Sequence, residues 1–273
     1  MPYMKAYKIH PDKYQDLFRQ HKEGKSLRQI AIENGVRQPS VAKIFRKCGV
    51  EIRNYRHAYN QSYFKCIGPE QAYFLGLISA DGCHDSKATF EISLVEDDSY
   101  VLMELSKALV GENILKTRVK KSVEMPNAKD QRRLSLRSKE IVGDLVSWGI
   151  TERKSLTLKW PSKVEESGYI WDYIRGYFDG DGCAEVKKNG RGTVYGEFSI
   201  LGSKPWIEEF AKCVLKEGID VKICALGKIW QATTNKIDNI HKLYSLMYSS
   251  KPSLFLIRKK NKLKTILDIK CKL

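Results

Sequence analysis

The chain has 273 residues, 42% hydrophobic and 29% charged, enough for two or three domains with cores of their own. It carries 48 Lys+Arg against 32 Asp+Glu, a formal net charge of +16, which points to polyanions and first to nucleic acid. No apolar stretch reaches the ~20 residues of a membrane span, and seven cysteines without a CxxC pair argue against a zinc site or a disulfide framework.

The opening MPYMKAYKIHPDKY lacks the apolar core of a signal peptide, so the expected setting is cytoplasmic, or organellar or phage-encoded without a cleavable signal. Residues 12–50 read as helices. Within GKSLRQIAIENGVRQPSVAKIFRK (24–47), Ala31, Gly35 and Val41 have helix-turn-helix spacing: a small residue for close approach, a glycine for the turn, a branched residue to pack back. Pro39 suits the first turn of the second helix. Its exposed side would carry Gln38, Ser40, Lys43 and Lys47 as groove and phosphate contacts. An ordinary helical hairpin is the plain alternative. Residues 51–69, polar and aromatic and ending in Gly-Pro, read as a linker.

An apolar helix, AYFLGLISADG (72–82), follows. KATFEISLV (87–95) then alternates as a strand. In ILKTRVKK (114–121), Lys116, Arg118 and Lys120 share one face. In QRRLSLRS (131–138), Arg133, Ser135 and Arg137 share one face and Leu134 and Leu136 the other. A sheet with its back to a core and a basic front suits phosphates, against the alternative of a merely solvated face. Residues 97–110 and 138–150 read as amphipathic helices.

The order then repeats. YIRGYFDGDGC (173–183) is the helix again, followed by strands at 183–188 and 193–201, a helix from 204, two strands within 219–235 and a helix at 236–248. Lys187 and Lys228 are the basic candidates here. Asp81 and Asp181 stand 100 positions apart, a domain-sized duplication. The expected division is 1–50 helix-turn-helix, 51–69 linker, 70–162 first half and 163–273 second half.

Gly76 and Ala80, like Gly176 and Gly180, put small residues four apart on one helix face. The natural partner of each such stripe is the other. Gly82 and Gly182 sit where a left-handed helix cap belongs. Asp81 and Asp181 fall in the last turns, at the negative ends of the helix dipoles, where a carboxylate is unfavourable by up to ~1 kcal/mol. Bringing two together calls for compensation, and a divalent ion supplies it. Two carboxylates on a basic surface suggest metal-assisted phosphodiester hydrolysis. DGDGC is not an EF-hand start, because position twelve from Asp179 is Gly190.

FLGLISADG (74–82) and IRGYFDGDG (174–182) resemble the two motifs of single-chain LAGLIDADG homing endonucleases, and the likeness spans about residues 68–273. The resemblance implies an α+β fold of two pseudo-symmetric αββαββα halves, each laying an antiparallel sheet on the DNA major groove, with an appended N-terminal helix-turn-helix. It implies a monomer, a long asymmetric duplex target, Mg²⁺ as two or more divalent ions, and a staggered double-strand break made for a mobile intron or similar element. Carried over by position, Asp81 and Asp181 are metal ligands. The basic residues near the scissile phosphates are Lys154, in GITERKSL, and Arg258 or Lys259, in LFLIRKKNK. The polar residue at the end of the second strand has no clear counterpart near Leu94-Val95 or Leu201-Gly202. The first motif has Ser79 where the second keeps Asp179. Arg175, Tyr177 and Phe178 imply a bulkier second interface. An RNA-splicing maturase and a non-cutting DNA-binding regulator are the alternatives on the same fold.

Overall fold

The computed structural model of the chain describes residues 9–23, 25–52, 59–118 and 129–269. Residues Met1–Ala58 and Tyr59–Leu273 form separate units, each around its own apolar core.

Among the described residues the first unit holds three α-helices, α1 (Tyr14–Lys22), α2 (Leu27–Glu33) and α3 (Gln38–Lys47). Ser26 starts α2 with a capping box: its hydroxyl accepts from Gln29 N and its own N–H donates to Gln29 Oε1. The α2–α3 turn passes through Gly35 at φ +64°, a left-handed conformation that favours glycine. Ala31 and Val41 are buried with Leu17, Ile30 and Phe45, while Gln38, Ser40, Lys43 and Lys47 are exposed.

The second unit is built twice. Its first half runs α4 (Pro69–Asp81), β1 (Gly82–His84), β2 (Thr89–Val95), α5 (Ser99–Val110), β3 (Lys116–Arg118), β4 (Gln131–Arg137) and α6 (Lys139–Ser147). A short α7 (Ser162–Glu166) leads into the second half: α8 (Ile170–Asp181), β5 (Gly182–Lys188), β6 (Val194–Gly202), α9 (Lys204–Lys216), β7 (Lys222–Leu226), β8 (Ile229–Thr234) and α10 (Ile237–Tyr248). A final helix, α11 (Ile257–Ile269), packs against β5 and β6. The two sheets are antiparallel with equivalent orders, β1-β2-β4-β3 and β5-β6-β8-β7. Phe90, Ile92, Leu134 and Leu136 turn inward in the first, and Ala184, Phe198, Ile200 and Ala232 in the second. Ser138 and Ser203 cap α6 and α9 by accepting from Ile141 N and Trp206 N.

α4 is buried at every position from Ala72 to Ser79, as an all-round apolar helix must be. It runs against α8 through the centre of the unit. A Cβ added at Gly76 would lie 2.0 Å from Tyr173 O, and one at Gly176 would lie 1.9 Å from Tyr73 O. The two backbones are as close as side-chain-free positions allow.

Several expectations change. Gly82 and Gly182 are not left-handed caps: their φ values are −83° and −89°, in extended backbone. Glycine is needed there for space, since an added Cβ would meet Ile78 O at 2.8 Å or Phe178 O at 2.6 Å. Residues 59–68, read as linker, pack into the second unit. Phe64 is buried, its carbonyl accepts from Trp148 Nε1 at 2.7 Å, and Asn60 N donates to Leu109 O. Aromatic residues in a polar stretch were anchors. The second motif adds bulk at the helix interface through Arg175 alone, whose guanidinium lies 5.3 Å from the ring centre of Tyr73 on α4, while Tyr177 and Phe178 turn into their own half. Tyr177 stacks on Trp206 and Phe178 on Phe198. Arg175 is 2% exposed and donates to Leu254 O, Met247 O and Asp172 Oδ1. Of the basic strand 114–121, β3 holds Lys116 and Arg118, and Lys120 lies outside the described residues.

Candidate active site

The close helix contact decides where the two motif carboxylates end. α4 and α8 both stop at an aspartate, and the small residues continue their contact to that end. A Cβ at Gly180 would stand 2.3 Å from Ala80 Cβ and 3.1 Å from Asp81 Oδ2. Asp81 and Asp181 are thus brought together. Asp81 is pushed up to about 6, first by the protein packed around its carboxyl and then by the nearby charge of Asp181. The residue itself stays solvent-exposed. Burial also raises Asp181. Lys259 and Lys154 pull both carboxylates back down.

These two lysines, far apart in sequence, occupy equivalent places. Lys154 is 6% exposed and donates to Gly82 O at the end of α4. Lys259, also 6% exposed, donates to Phe178 O, Gly180 O and Gly182 O at the end of α8, each at 2.8 Å. Each ammonium sits among carbonyls at the negative end of a helix dipole; Phe178 O, which also accepts from Gly182 N, is shared. Burial depresses both, Lys259 to about 8. Of the two residues left open by sequence, Lys259 enters the site. Arg258 turns away and donates to Asp98 Oδ2 at 2.7 Å.

A layer beneath the carboxylates went unread in the sequence. Asp179 is 1% exposed, and its Oδ2 accepts from Tyr73 OH and from Leu256 N, both at 2.8 Å. Tyr100 OH donates to Phe255 O and accepts from Ile257 N. Tyr100 and Asp98 of the first half therefore hold residues 255–258, the segment that delivers Lys259, and Tyr73 reaches it through Asp179. Burial holds Asp179 at about 6. One signal was visible: Tyr73 and Tyr173 fall at the same place in the two motifs, as do Ser79 and Asp179.

The remaining candidates sit on the outer sheet faces or in turns. Arg133 and Ser135 flank Glu91, with Ser135 Oγ donating to it at 2.9 Å, and Arg137 Nε donates to Lys87 O. Lys116 and Arg118 are exposed on edge strand β3. Lys187 pairs with Glu197, and Lys228 is exposed in the β7–β8 turn.

Two carboxylates are hard oxygen ligands, matched to a hard divalent cation. Among the described residues no group of three or more His, Cys, Asp or Glu is placed to hold a metal. The pair fits an ion that completes its shell with water and a substrate's oxygens.

Residues 169–249 match the model of the LAGLIDADG-like domain family. The fold is similar to that of the LAGLIDADG meganuclease I-AabMI, solved bound to uncleaved DNA, with TM-score 0.52 and 14% identity over 76% of this chain and 92% of that one. It is also similar to the meganuclease I-SmaMI, solved on an uncleavable DNA, with TM-score 0.50 and 13% identity over 74% and 91% of the two chains. No curated protein matches the sequence. The chain thus carries the LAGLIDADG fold in two copies, the second of which the family model matches directly.

Proposed function

We propose that the chain is a site-specific endodeoxyribonuclease of the homing type, hydrolysing phosphodiesters in duplex DNA. The observation that carries this reading is the meeting of Asp81 and Asp181 at the end of the closest helix contact, each with a buried lysine beside it. A binding protein gains nothing from two aspartates forced together and raised by burial. Asp81 and Asp181 hold the divalent ions, with Mg²⁺ as the expected species. The metal supplies water activation and stabilisation of the leaving oxygen. Lys154 donates to one carbonyl among the described residues, which leaves N–H groups for a phosphate oxygen. Lys259 has all three N–H groups engaged, so it acts by its charge and by fixing the end of α8. The outer sheet faces take the major groove of two half-sites. The helix-turn-helix of residues 1–50 adds a contact through Gln38, Ser40, Lys43 and Lys47. The enzyme acts as a monomer with a staggered break, and a mobile intron or similar element carries it.

The test is cleavage of a randomised duplex library with Mg²⁺ by wild type, Asp81→Asn and Asp181→Asn. Wild type should cut a defined site, and each variant should bind that site without cutting both strands. Selective binding by wild type with no cut at any divalent ion would remove the endonuclease reading.

A further inference from the structure

The two sheets share a register, which allows position-by-position comparison of their outer faces. Gly82 pairs with Ile92 and Ile92 with Leu134; in the second half Gly182 pairs with Ile200 and Ile200 with Ala232. Counted from these anchors, Arg133 and Gln231 are equivalent, one residue before Leu134 and Ala232. Lys116 pairs with Arg133 and Cys224 with Gln231, so Lys116 corresponds to Cys224. Arg118 pairs with Gln131 and Leu226 with Ile229, so Arg118 corresponds to Leu226. Ser93, paired with Arg133, corresponds to Leu201, paired with Gln231.

Three cations of the first face therefore meet neutral residues at the same places on the second. Among the described residues on these strands, the first outer face sets Lys116, Arg118, Arg133 and Arg137 against Glu91. The second sets Lys187 and Lys222 against Glu185 and Glu197, with no net charge. Arg133 and Gln231 lie on β4 and β8, each an interior strand of its sheet, facing away from the core. Long polar side chains there reach base edges, whereas edge-strand cations reach phosphates.

Resting on the reading of this chain as a DNA enzyme, we propose that its two sheets read different bases at equivalent places. Arg133 of the first sheet takes a guanine. At the matching place on the second sheet Gln231 takes an adenine, with Leu201 on a thymine methyl. An arginine presents two N–H groups to guanine O6 and N7. A glutamine donates to adenine N7 and accepts from N6, and an apolar side chain covers the thymine methyl.

The experiment is selection of bound duplexes from a randomised pool without divalent ion, followed by sequencing, with full-length wild type, Arg133→Gln and Gln231→Arg. Thermal melting beside wild type checks that both variants fold. Wild type should select guanine at one position of the first half and adenine at the matching position of the second. Arg133→Gln should cost a tenfold or larger guanine preference at one position of the first half, since a bidentate pair discriminates by about tenfold or more. Gln231→Arg should move one position of the other half from adenine to guanine. The same base at both matching positions, or no preference at either, overturns the inference and leaves the enzyme reading standing. So does an Arg133→Gln variant that weakens every sequence alike, the mark of a phosphate contact. If wild type selects no duplex, the inference and the reading beneath it both fall.

Discussion

Gly176→Ala tests whether the site depends on the approach of α4 and α8. The added carbon would stand 1.9 Å from Tyr73 O and 2.9 Å from Tyr73 C, both backbone atoms of the facing helix. Carbon–oxygen contacts close to about 3.3 Å, so the helices must part by roughly 1.4 Å at that point. Neither neighbour is a flexible tip that could swing aside. Overpacking of this kind costs about 1–3 kcal/mol, and a shift near 1 Å in a catalytic constellation costs about 10²-fold in rate. Gly143→Ala is the control. It too lies in a helix, α6, but an added Cβ would meet nothing within 4 Å. There the same substitution should stabilise by about 0.5–1 kcal/mol, through lower chain entropy in the unfolded state. Urea unfolding of both variants, with cleavage assays alongside, gives the comparison. An unchanged unfolding midpoint for Gly176→Ala would refute the close-contact argument.

Asp179 makes a pH prediction. Burial holds its pKa at about 6, above the ordinary carboxylate value, so the folded chain keeps this proton more tightly than the unfolded chain. Its contribution to stability is complete below about pH 4 and is lost as pH rises through about 6. Asp179→Asn keeps an acceptor for Tyr73 and Leu256 and does not titrate. It should gain on wild type by up to about 3 kcal/mol between pH 4 and 7, and parallel melting curves across that range would contradict this. Lys259→Met uncovers the carbonyls of Gly180 and Gly182, since Phe178 O keeps its bond from Gly182 N, where Lys154→Met uncovers one, so it should cost about 1–3 kcal/mol more in chemical denaturation; equal losses would count against the capping role. Removal of residues 1–58 leaves a unit with its own core, which should melt cooperatively and cut its site with weaker binding; unchanged affinity would show that α3 does not touch DNA.

The order of elements was legible because it rests on local patterns. The alternation of QRRLSLRS has one geometric solution, and burial of Leu134 and Leu136 follows it. The pairing of the motif helices was legible from Gly76 and Gly176, since a stripe without side chains must face something close. The roles of Gly82 and Gly182 were not, because a glycine at a helix end fits both a left-handed turn and a tight extended exit. The obstacle that selects the second, the carbonyls of Ile78 and Phe178 in the helix just left, exists only once the strand leaves the helix. α11 went unread because IRKKNKLKTILDI mixes charge and apolar residues without a clean stripe, and its place is set by docking on β5 and β6.

What stayed hidden in the site has a common cause. Tyr73 and Asp179 lie 106 residues apart, and Tyr100 and Phe255 lie 155 apart. No spacing rule reaches that far. These bonds also break the symmetry that the repeat suggests: the second-half lysine arrives on a segment held by the first-half phenol of Tyr100 and carboxylate of Asp98, and the first-half lysine arrives on residues following α6 of its own half. A duplicated chain needs both lysines at the same relative place, but it need not deliver them by the same route. Once each motif helix has only its own copy to serve, Ser79 can replace an aspartate in one while Asp179 becomes a buried tie in the other. The strict parts of the repeat are then those that fix the distance between Asp81 and Asp181: the small residues along the contact and the glycines that let each chain leave it.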